Sequence, residues 1–160
     1  MSEDLEIARG TKTEQYTALL PQIRALMEGE ADGTANLANV AAALKEQFGW
    51  LWVGFYLVKA GELVVGPFQG PVACTRIRKG RGVCGTSWAE ERTLIVPDVE
   101  AFPGHIACSS LSRSEIVVPI WAGQEIIGVL DADSAALEAF DEEDQRWLEE
   151  VVKIIPGVNA

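Results

Sequence analysis

Basic residues are scarce in this sequence. Its 13 lysines and arginines stand against 24 aspartates and glutamates, and the formal net charge is −11. Binding to a phosphate backbone gains affinity from the counterions that lysine and arginine displace, and this chain has few such residues to offer. An anionic membrane surface would repel it as well. The composition therefore argues against nucleic acid and lipid surfaces as partners.

Long apolar runs are also lacking, since no stretch reaches the roughly 18 apolar residues that a membrane-spanning helix needs. The first ten residues, MSEDLEIARG, are acidic where a secretory signal would be basic and then apolar. The sequence contains no internal repeat and no low-complexity linker, and 160 residues suit one domain with a sizeable core. We therefore predict a cytoplasmic protein with a single domain, 1–160, in which residues 1–12 form a flexible N-terminus.

Cysteine is scarce and odd in number, with thiols at Cys74, Cys84 and Cys108. An odd count does not make the disulfide framework of a small secreted domain. In a reducing compartment such cysteines are more often buried spacers, metal ligands or redox groups. Each of the three, taken alone, is more often a small core residue than a catalyst.

The single histidine, His105, could belong to a zinc site or to the active site of a serine hydrolase, but the sequence gives little support to either. Together with Cys74, Cys84 and Cys108 it offers the four ligands of a zinc site. The paired C-x-x-C arrangement of most structural zinc sites is missing, so a zinc-binding domain remains a secondary interpretation. A serine hydrolase is weaker still, because no G-x-S-x-G motif accompanies the histidine.

The spacing of apolar residues predicts an α+β domain. Four helices are predicted, over residues 13–29, 34–48, 83–90 and 141–155. We expect a break or kink in the first helix at Pro21. Two hairpins are predicted, 50–58 with 62–68 and 115–121 with 125–133. This order favours a central, mainly antiparallel sheet with helices packed on it.

A long loop of about 18 residues lies before the second hairpin and contains His105 and Cys108. Loops of this length in compact domains are usually functional or disordered. The small polar neighbours Ser109 and Ser110 predict partial exposure of the Cys108 thiol. Cys84 falls at the start of a predicted helix, where the N-terminal dipole is expected to favour its thiolate.

The second hairpin places carboxylates on otherwise apolar strands. Asp131 and Asp133 lie two residues apart, so both leave the sheet on one face. A three-residue loop, 122–124, would set Glu115 opposite Asp131 on that face. A two-residue loop would instead pair Ile116 with Asp131 and turn Glu115 away.

Three carboxylates buried together would need solvent, a cation or an ammonium group as a partner. Such crowding raises the pKa of at least one carboxyl group, which can then act as an acid near neutral pH. The alternative is that Asp131 and Asp133 only cap the strand and solvate the turn that follows.

Seven segments, taken in order, resemble the free methionine-(R)-sulfoxide reductases, which are GAF-domain enzymes. The segments are WVGFY, GPFQGPVAC, GRGVCGTSW, VPDV, FPGHIAC, SEIVVPI and GVLDADS, and they fall within residues 49–144. The resemblance implies a GAF-like α+β fold with a long active-site loop and no cofactor. It implies reduction of free L-methionine-(R)-sulfoxide with thioredoxin as electron donor, and it suggests a homodimer.

The resemblance also implies a role for each thiol. Cys108 of GHIAC corresponds to the nucleophile, Cys74 of GPVAC to the resolving thiol, and Cys84 of GVCG to an auxiliary or alternative resolver. The family often has an aspartate where this chain has Ser109 and a histidine where it has Glu100. These two departures affect no residue with an assigned chemical role.

Four further residues correspond to the substrate site of the family. Glu115, Asp131 and Asp133 are implied to bind the substrate and activate the sulfoxide, and Trp52 to form the wall that takes the methyl group. A carboxyl group with a raised pKa, Glu115 or Asp133, would supply the acid that the sulfoxide oxygen needs. The non-enzymatic alternative is a GAF domain that senses a small molecule and whose cysteines are structural.

Overall fold

The structure is a computed structural model that describes residues 4–106 and 108–158. Helices and strands follow one another as α1 (Lys12–Met27), α2 (Gly33–Phe48), β1 (Trp52–Lys59), β2 (Glu62–Gln69), β3 (Arg76–Arg78), α3 (Gly82–Glu90), β4 (Leu94–Val96), β5 (Ser114–Ala122), β6 (Glu125–Ser134) and α4 (Glu142–Lys153). Within these ranges, no helix combines the length and the apolar character that crossing a membrane would require.

The strands form one six-stranded sheet in the order β3-β2-β1-β6-β5-β4, and every neighbouring pair is antiparallel. Alternate residues of the central strands face opposite sides. Val53 and Phe55 pack with helices α1, α2 and α4, whereas Trp52 and Tyr56 pack with α3. The predicted α+β fold with a mainly antiparallel sheet is therefore confirmed, and the two sides of the sheet have separate cores.

Helix α1 is continuous through Pro21, so a break at this position is wrong, and a kink there stays a prediction. Proline costs about 3 kcal/mol in a helix interior because it removes a hydrogen bond and crowds the preceding turn. Pro21 lies on the exposed side of the helix, and the opposite side buries four large residues, Tyr16, Leu19, Ile23 and Met27. Burial of each such side chain stabilises the fold by about 1.5–3 kcal/mol, which more than offsets the proline.

Helices α1 and α4 are joined through a buried carboxylate. Asp144 accepts hydrogen bonds from the Tyr16 hydroxyl at 2.6 Å and from Lys12 Nζ at 2.5 Å. Lys12 also pairs with Asp141 at 3.1 Å, at the N-terminal cap of α4. These hydrogen bonds and ion pairs lie on the side of the sheet that α1, α2 and α4 cover.

The segment before α1 makes specific contacts with the helices. Gln47 both accepts a hydrogen bond from the Ala8 backbone N–H and donates one to the Ala8 carbonyl, at 3.1 and 2.8 Å. The flexibility of residues 1–12 and the single domain over 1–160 stay predictions. Residues 1–3 of that segment lie outside the described residues.

The hairpin of β5 and β6 follows neither of the two predicted registers. Ala122 pairs with Glu125, which leaves a two-residue turn at 123–124. The register then shifts next to Trp121, because a β-bulge gives β6 one extra residue. Beyond the bulge, β6 is therefore displaced by one residue relative to a simple two-residue hairpin.

The bulge decides which face of the sheet Glu115 occupies. Glu115 pairs with Asp133, and Val117 pairs with Asp131, so all three carboxylates leave the sheet on the side of α3. Without the bulge, the two-residue turn would pair Ile116 with Asp131 and direct Glu115 to the other core. The shared face that the three-residue loop required is thus present, although Glu115 lies opposite Asp133 and not Asp131.

Candidate active site

A pocket lies on the α3 side of the sheet, under the long loop between β4 and β5. Its floor consists of Glu115 from β5 and of Asp131 and Asp133 from β6, and α3 contributes Cys84. Cys108 of the loop lies at its edge. The structure therefore brings residues from four separate segments of the chain into one cavity.

The carboxylates on the floor have few donors around them. Ser112 donates a hydrogen bond from Oγ to Asp133 Oδ1 at 3.1 Å. Asp131 Oδ1 is buried, and none of the described residues donates a hydrogen bond to it. A buried carboxylate oxygen without a donor needs a proton, an ammonium group or a cation. The floor of the pocket is therefore suited to a positively charged or proton-sharing partner.

Burial shifts the titration of all three carboxyl groups. It raises the pKa of Glu115 to about 8, and the neighbouring charge of Asp133 adds to the shift. The pKa of Asp131 is raised well above its ordinary value by burial and by Glu115, and that of Asp133 by burial and by Asp131. These directions agree with an acid that holds a proton near neutral pH, and the role of Glu115 or Asp133 as that acid stays a prediction.

The surroundings of Cys84 contradict the expectation that the dipole of α3 favours its thiolate. It lies in the first turn of α3 but is only 4% exposed, and its thiol lies 4.0 Å from Glu115 Oε2. Burial and the carboxylates, Asp131 first among them, raise the pKa of the thiol well above its usual range. Desolvation and repulsion outweigh the helix dipole, so the thiolate is disfavoured and not favoured.

Cys74 and Cys108 form a disulfide, with 5.3 Å between their Cα atoms and a separation of 34 positions in sequence. The bond ties the long loop to the segment between β2 and β3. Cys108 is exposed, as its small polar neighbours predicted, and Cys74 is half-buried. The structure therefore pairs Cys108 with Cys74 and leaves Cys84 as a free thiol.

This pairing does not assemble the predicted zinc ligands. Two of the four, Cys74 and Cys108, are bonded to each other and cannot bind a metal in this state. Cys84 instead lies with Glu115 and Asp131, and one ligand atom from each of these three lies within 4.8 Å of the others. Among the described residues, this thiol and these two carboxylates are the group with a spacing that could hold a cation.

The aromatic wall of the pocket comes from β1. Trp52 stacks on Phe68 with 5.1 Å between ring centroids and donates a hydrogen bond from Nε1 to the Pro71 carbonyl at 3.1 Å. Tyr56 lies 5.9 Å from Trp52 on the same face, and its hydroxyl bonds the Cys74 carbonyl at 2.9 Å. A ring stack and a hydrogen bond thus hold Trp52 in the lining of the pocket, and its role as the wall for the methyl group stays a prediction.

Two residues of the site were not predicted from the sequence. Tyr56 lines the pocket and contacts the backbone of Cys74, and Ser112 bonds Asp133. Tyr56 could have been found, because it lies four residues after Trp52 on a strand and therefore on the same face. Ser112 could not, since its contact depends on the path of the long loop.

Gly54 lies between the two aromatic residues and explains how β2 approaches so closely. A Cβ atom at this position would come within 2.2 Å of the Phe68 Cβ atom. The register between β1 and β2 also shifts between Gly54 and Tyr56. A larger residue here would push β2 away and remove Phe68 from its stack on Trp52.

Comparison with known proteins shows similarity over almost the whole chain. A sequence model of the GAF domain family matches residues 34–155. GAF domain-containing protein A of Dictyostelium discoideum is 65% identical over 156 residues, which are 97% of this chain and 99% of that protein. Free methionine-R-sulfoxide reductase of Escherichia coli strain K12 is 48% identical over 150 residues, which are 93% of this chain and 91% of that enzyme.

Solved structures are also similar to this chain in both sequence and fold. One of them is the X-ray structure of free methionine-R-sulfoxide reductase from Neisseria meningitidis in complex with its substrate, which is 55% identical with a TM-score of 0.95. The similarity covers 98% of this chain and 95% of that one.

Proposed function

This chain belongs to the GAF domain family, and we propose that it is an oxidoreductase that reduces free L-methionine-(R)-sulfoxide to methionine. One observation carries the proposal: a Cys74–Cys108 disulfide lies at the edge of a pocket whose floor holds carboxyl groups with raised pKa values. A redox-active thiol pair and an acid are the two components that sulfoxide reduction needs. The similarity to the E. coli and N. meningitidis enzymes supports the same conclusion.

The first step of the proposed reaction is activation of the sulfoxide. Its oxygen is too basic to leave sulfur unaided, so it must accept a proton or a strong hydrogen bond as the S–O bond breaks. Glu115, whose pKa is about 8, or Asp133 would donate that proton. Burial and a neighbouring carboxylate disfavour the charged form of both groups and so raise the pKa at which each loses its proton.

In the second step the Cys108 thiolate attacks the sulfoxide sulfur. The attack joins Cys108 Sγ to the sulfoxide sulfur. The protonated oxygen then passes from that sulfur to Cys108 Sγ as the S–O bond and the new S–S bond break, so methionine leaves with two electrons more than the sulfoxide had and Cys108 is left as a sulfenic acid. The Cys74 thiol then attacks the sulfenic sulfur, forms the disulfide and releases the oxygen as water. A dithiol donor, which we propose is thioredoxin, reduces the disulfide by thiol exchange and restores both thiols.

Cys84 is suited to a different role from that of Cys108. Its pKa is raised by burial and by carboxylates, so little of it is thiolate at neutral pH, and thiolate is the nucleophilic form. Its hydrogen bond to Glu115 places it beside the proposed acid. We propose that Cys84 shapes the pocket floor and serves as the auxiliary thiol, while Cys74 resolves the sulfenic acid.

The acidic floor also accounts for selection of a free amino acid. The ammonium group of free methionine sulfoxide would supply the positive partner that Asp131 Oδ1 lacks among the described residues. A methionine sulfoxide inside a peptide has no ammonium group to offer. Its entry would leave buried carboxylates unpaired, which disfavours binding.

The test is methionine formation from free L-methionine sulfoxide, an equal mixture of its two sulfur epimers, with dithiothreitol as donor. We expect consumption to stop at half of the mixture and Cys108→Ser to abolish it. Without donor, the reduced protein should form one equivalent of methionine, and mass spectrometry should then find Cys108 joined to Cys74. Turnover that survives Cys108→Ser would remove the nucleophile assignment, and a wild-type protein without turnover would favour a small-molecule sensor.

Assembly and location of the protein belong to the same proposal. We propose that it acts in the cytoplasm, where a dithiol donor is regenerated, and that it forms a homodimer as the resemblance to its family suggests. Sedimentation equilibrium of the purified protein would measure the mass of the assembly. A monomer over the whole concentration range would remove the dimer without affecting the chemistry.

A further inference from the structure

A strip of basic side chains lies on the surface between β2 and α3. Four of the 13 basic residues of the chain fall within six positions, Arg76, Arg78, Lys79 and Arg81, and all four are exposed. Arg76 pairs loosely with Glu62 at 3.6 Å. No carboxylate of the described residues pairs with the other three. The basic strip, residues 76–81, therefore presents positive charge to solvent in a chain whose net charge is −11.

The basic strip lies beside the disulfide. Cys74 precedes Arg76 by two residues, and Ile77 lines the same pocket as Cys108. The long loop also packs against the end of the strip, since a Cβ atom at Gly82 would come within 3.2 Å of the Ile106 side chain. Positive charge thus lies in the segment that runs from Cys74 to the residues under the Cys108 loop, with Lys79 over the Trp88 ring of α3.

Exposed apolar side chains flank the same disulfide. Val72 is 87% exposed and Leu111 is 61% exposed, and Ile106 is exposed as well. Val72 and Leu111 lie two and three residues from Cys74 and Cys108 in sequence, and Ile106 lies two residues before Cys108. Apolar contact at the centre with charge at the rim is the usual composition of a protein–protein interface.

We infer that the basic strip and the exposed residues Val72, Ile106 and Leu111 form the docking surface for a dithiol protein with a negatively charged surface. The inference rests on the proposed redox cycle, because it assigns the site where the donor of that cycle binds. The net charge of −11 repels an acidic donor elsewhere on the molecule, and the strip attracts it at the disulfide. Charge complementarity of this kind raises association rates and selects the orientation of the complex.

The docked donor carries out an ordinary thiol–disulfide exchange. One donor thiolate attacks a sulfur of the Cys74–Cys108 bond, which forms a mixed disulfide and releases the other cysteine as a thiolate. The second donor thiol then attacks the mixed disulfide and releases the protein. Two electrons and two protons pass to Cys74 and Cys108, and the donor leaves as its own disulfide.

The experiment measures reduction of the oxidised protein without any sulfoxide. Thioredoxin with net negative charge, its reductase and NADPH would reduce Cys74–Cys108 in a single turnover, followed as one equivalent of NADPH consumed. The test variant is Lys79→Glu/Arg81→Glu, at two exposed positions of the strip. The matched control, Arg9→Glu/Arg24→Glu, makes the same change in net charge at exposed positions near and on α1. Reduction by dithiothreitol, an uncharged small dithiol, is measured in parallel on every variant.

We expect the test variant to lower the second-order rate of reduction by thioredoxin roughly tenfold or more at low ionic strength. The difference between this rate and the wild-type rate should shrink in about 1 M salt, where screening limits electrostatic attraction to about 3 Å. Dithiothreitol should reduce both variants at the wild-type rate. An equal effect of both double variants, or no effect of either, would overturn the inference, as would a parallel loss with dithiothreitol. Because no sulfoxide is used, failure of the proposed function appears separately, as absent methionine formation.

Discussion

The buried carboxyl cluster makes stability depend on pH in a direction opposite to that of most carboxyl groups. Burial and Asp133 raise the pKa of Glu115 from 4.5 to about 8 in the folded chain. In the unfolded chain the group returns to its ordinary pKa, so near neutral pH the folded state holds a proton that the unfolded state has lost. The resulting stabilisation is complete below the unfolded pKa and is lost as pH rises through the folded one. We therefore expect the free energy of unfolding to fall from about pH 6.5 to about pH 8.5.

The size of this loss follows from proton linkage. For one group with pKa values of 4.5 and about 8 in the two states, the loss over this pH range is about 2 kcal/mol. For a chain of 160 residues, the corresponding fall in Tm is roughly 4–8 °C. Asp131 and Asp133 act in the same direction because their pKa values are also raised. His105, whose pKa is lowered by burial, acts in the opposite direction, mainly below this range.

Thermal unfolding of the oxidised protein, followed by circular dichroism at constant ionic strength, measures this dependence. Cys74 and Cys108 are bonded in that form and do not titrate. Glu115→Gln should make the fall in Tm clearly smaller, and adding Asp131→Asn should reduce it further, with the contribution of Asp133 left. Glu125→Gln, an exposed position at the other end of the same hairpin, should leave it unchanged. A Tm that stays level or rises with pH in the wild type would refute the reasoning.

Three further results are expected. The kcat/KM for free methionine sulfoxide should exceed that for its N-acetyl form roughly 10-fold to 150-fold, since a charged hydrogen bond contributes about 1.5–3 kcal/mol; equal values would contradict recognition of the ammonium group. Trp52→Phe removes the donor to Pro71, so the KM for sulfoxide should rise several-fold, and an unchanged KM would count against a wall at this position. Tyr16→Phe loses a buried bond to Asp144 and should lower the free energy of unfolding by about 1.5–3 kcal/mol, measured by urea titration. The kcat of this variant below its Tm should remain within about twofold of wild type, and a parallel loss of kcat would contradict the separation of the two cores.

Much of the architecture could be predicted because it depends on local patterns. The spacing of apolar residues located α2 and both hairpins to within two residues of their observed ends. It could not show that α1 continues through Pro21, because the burial that offsets the proline comes from packing on other helices. The β-bulge beside Trp121 was not predicted either. A two-residue and a three-residue loop fit the local pattern of apolar residues equally well, and neither adds a residue to β6.

The candidate site also combines features that the sequence predicts with features that depend on the folded chain. Three features follow from the order of residues alone: the charge of the chain, the segments that resemble GAF-domain reductases, and the common face of Asp131 and Asp133, since strand alternation is a property of neighbouring residues. The pairing of Cys108 with Cys74, and the burial and raised pKa of the Cys84 thiol, emerge only in the folded chain. Disulfide pairing depends on the distance between segments far apart in the chain, and desolvation depends on every element that packs around a group. Neither quantity can be read from the order of residues.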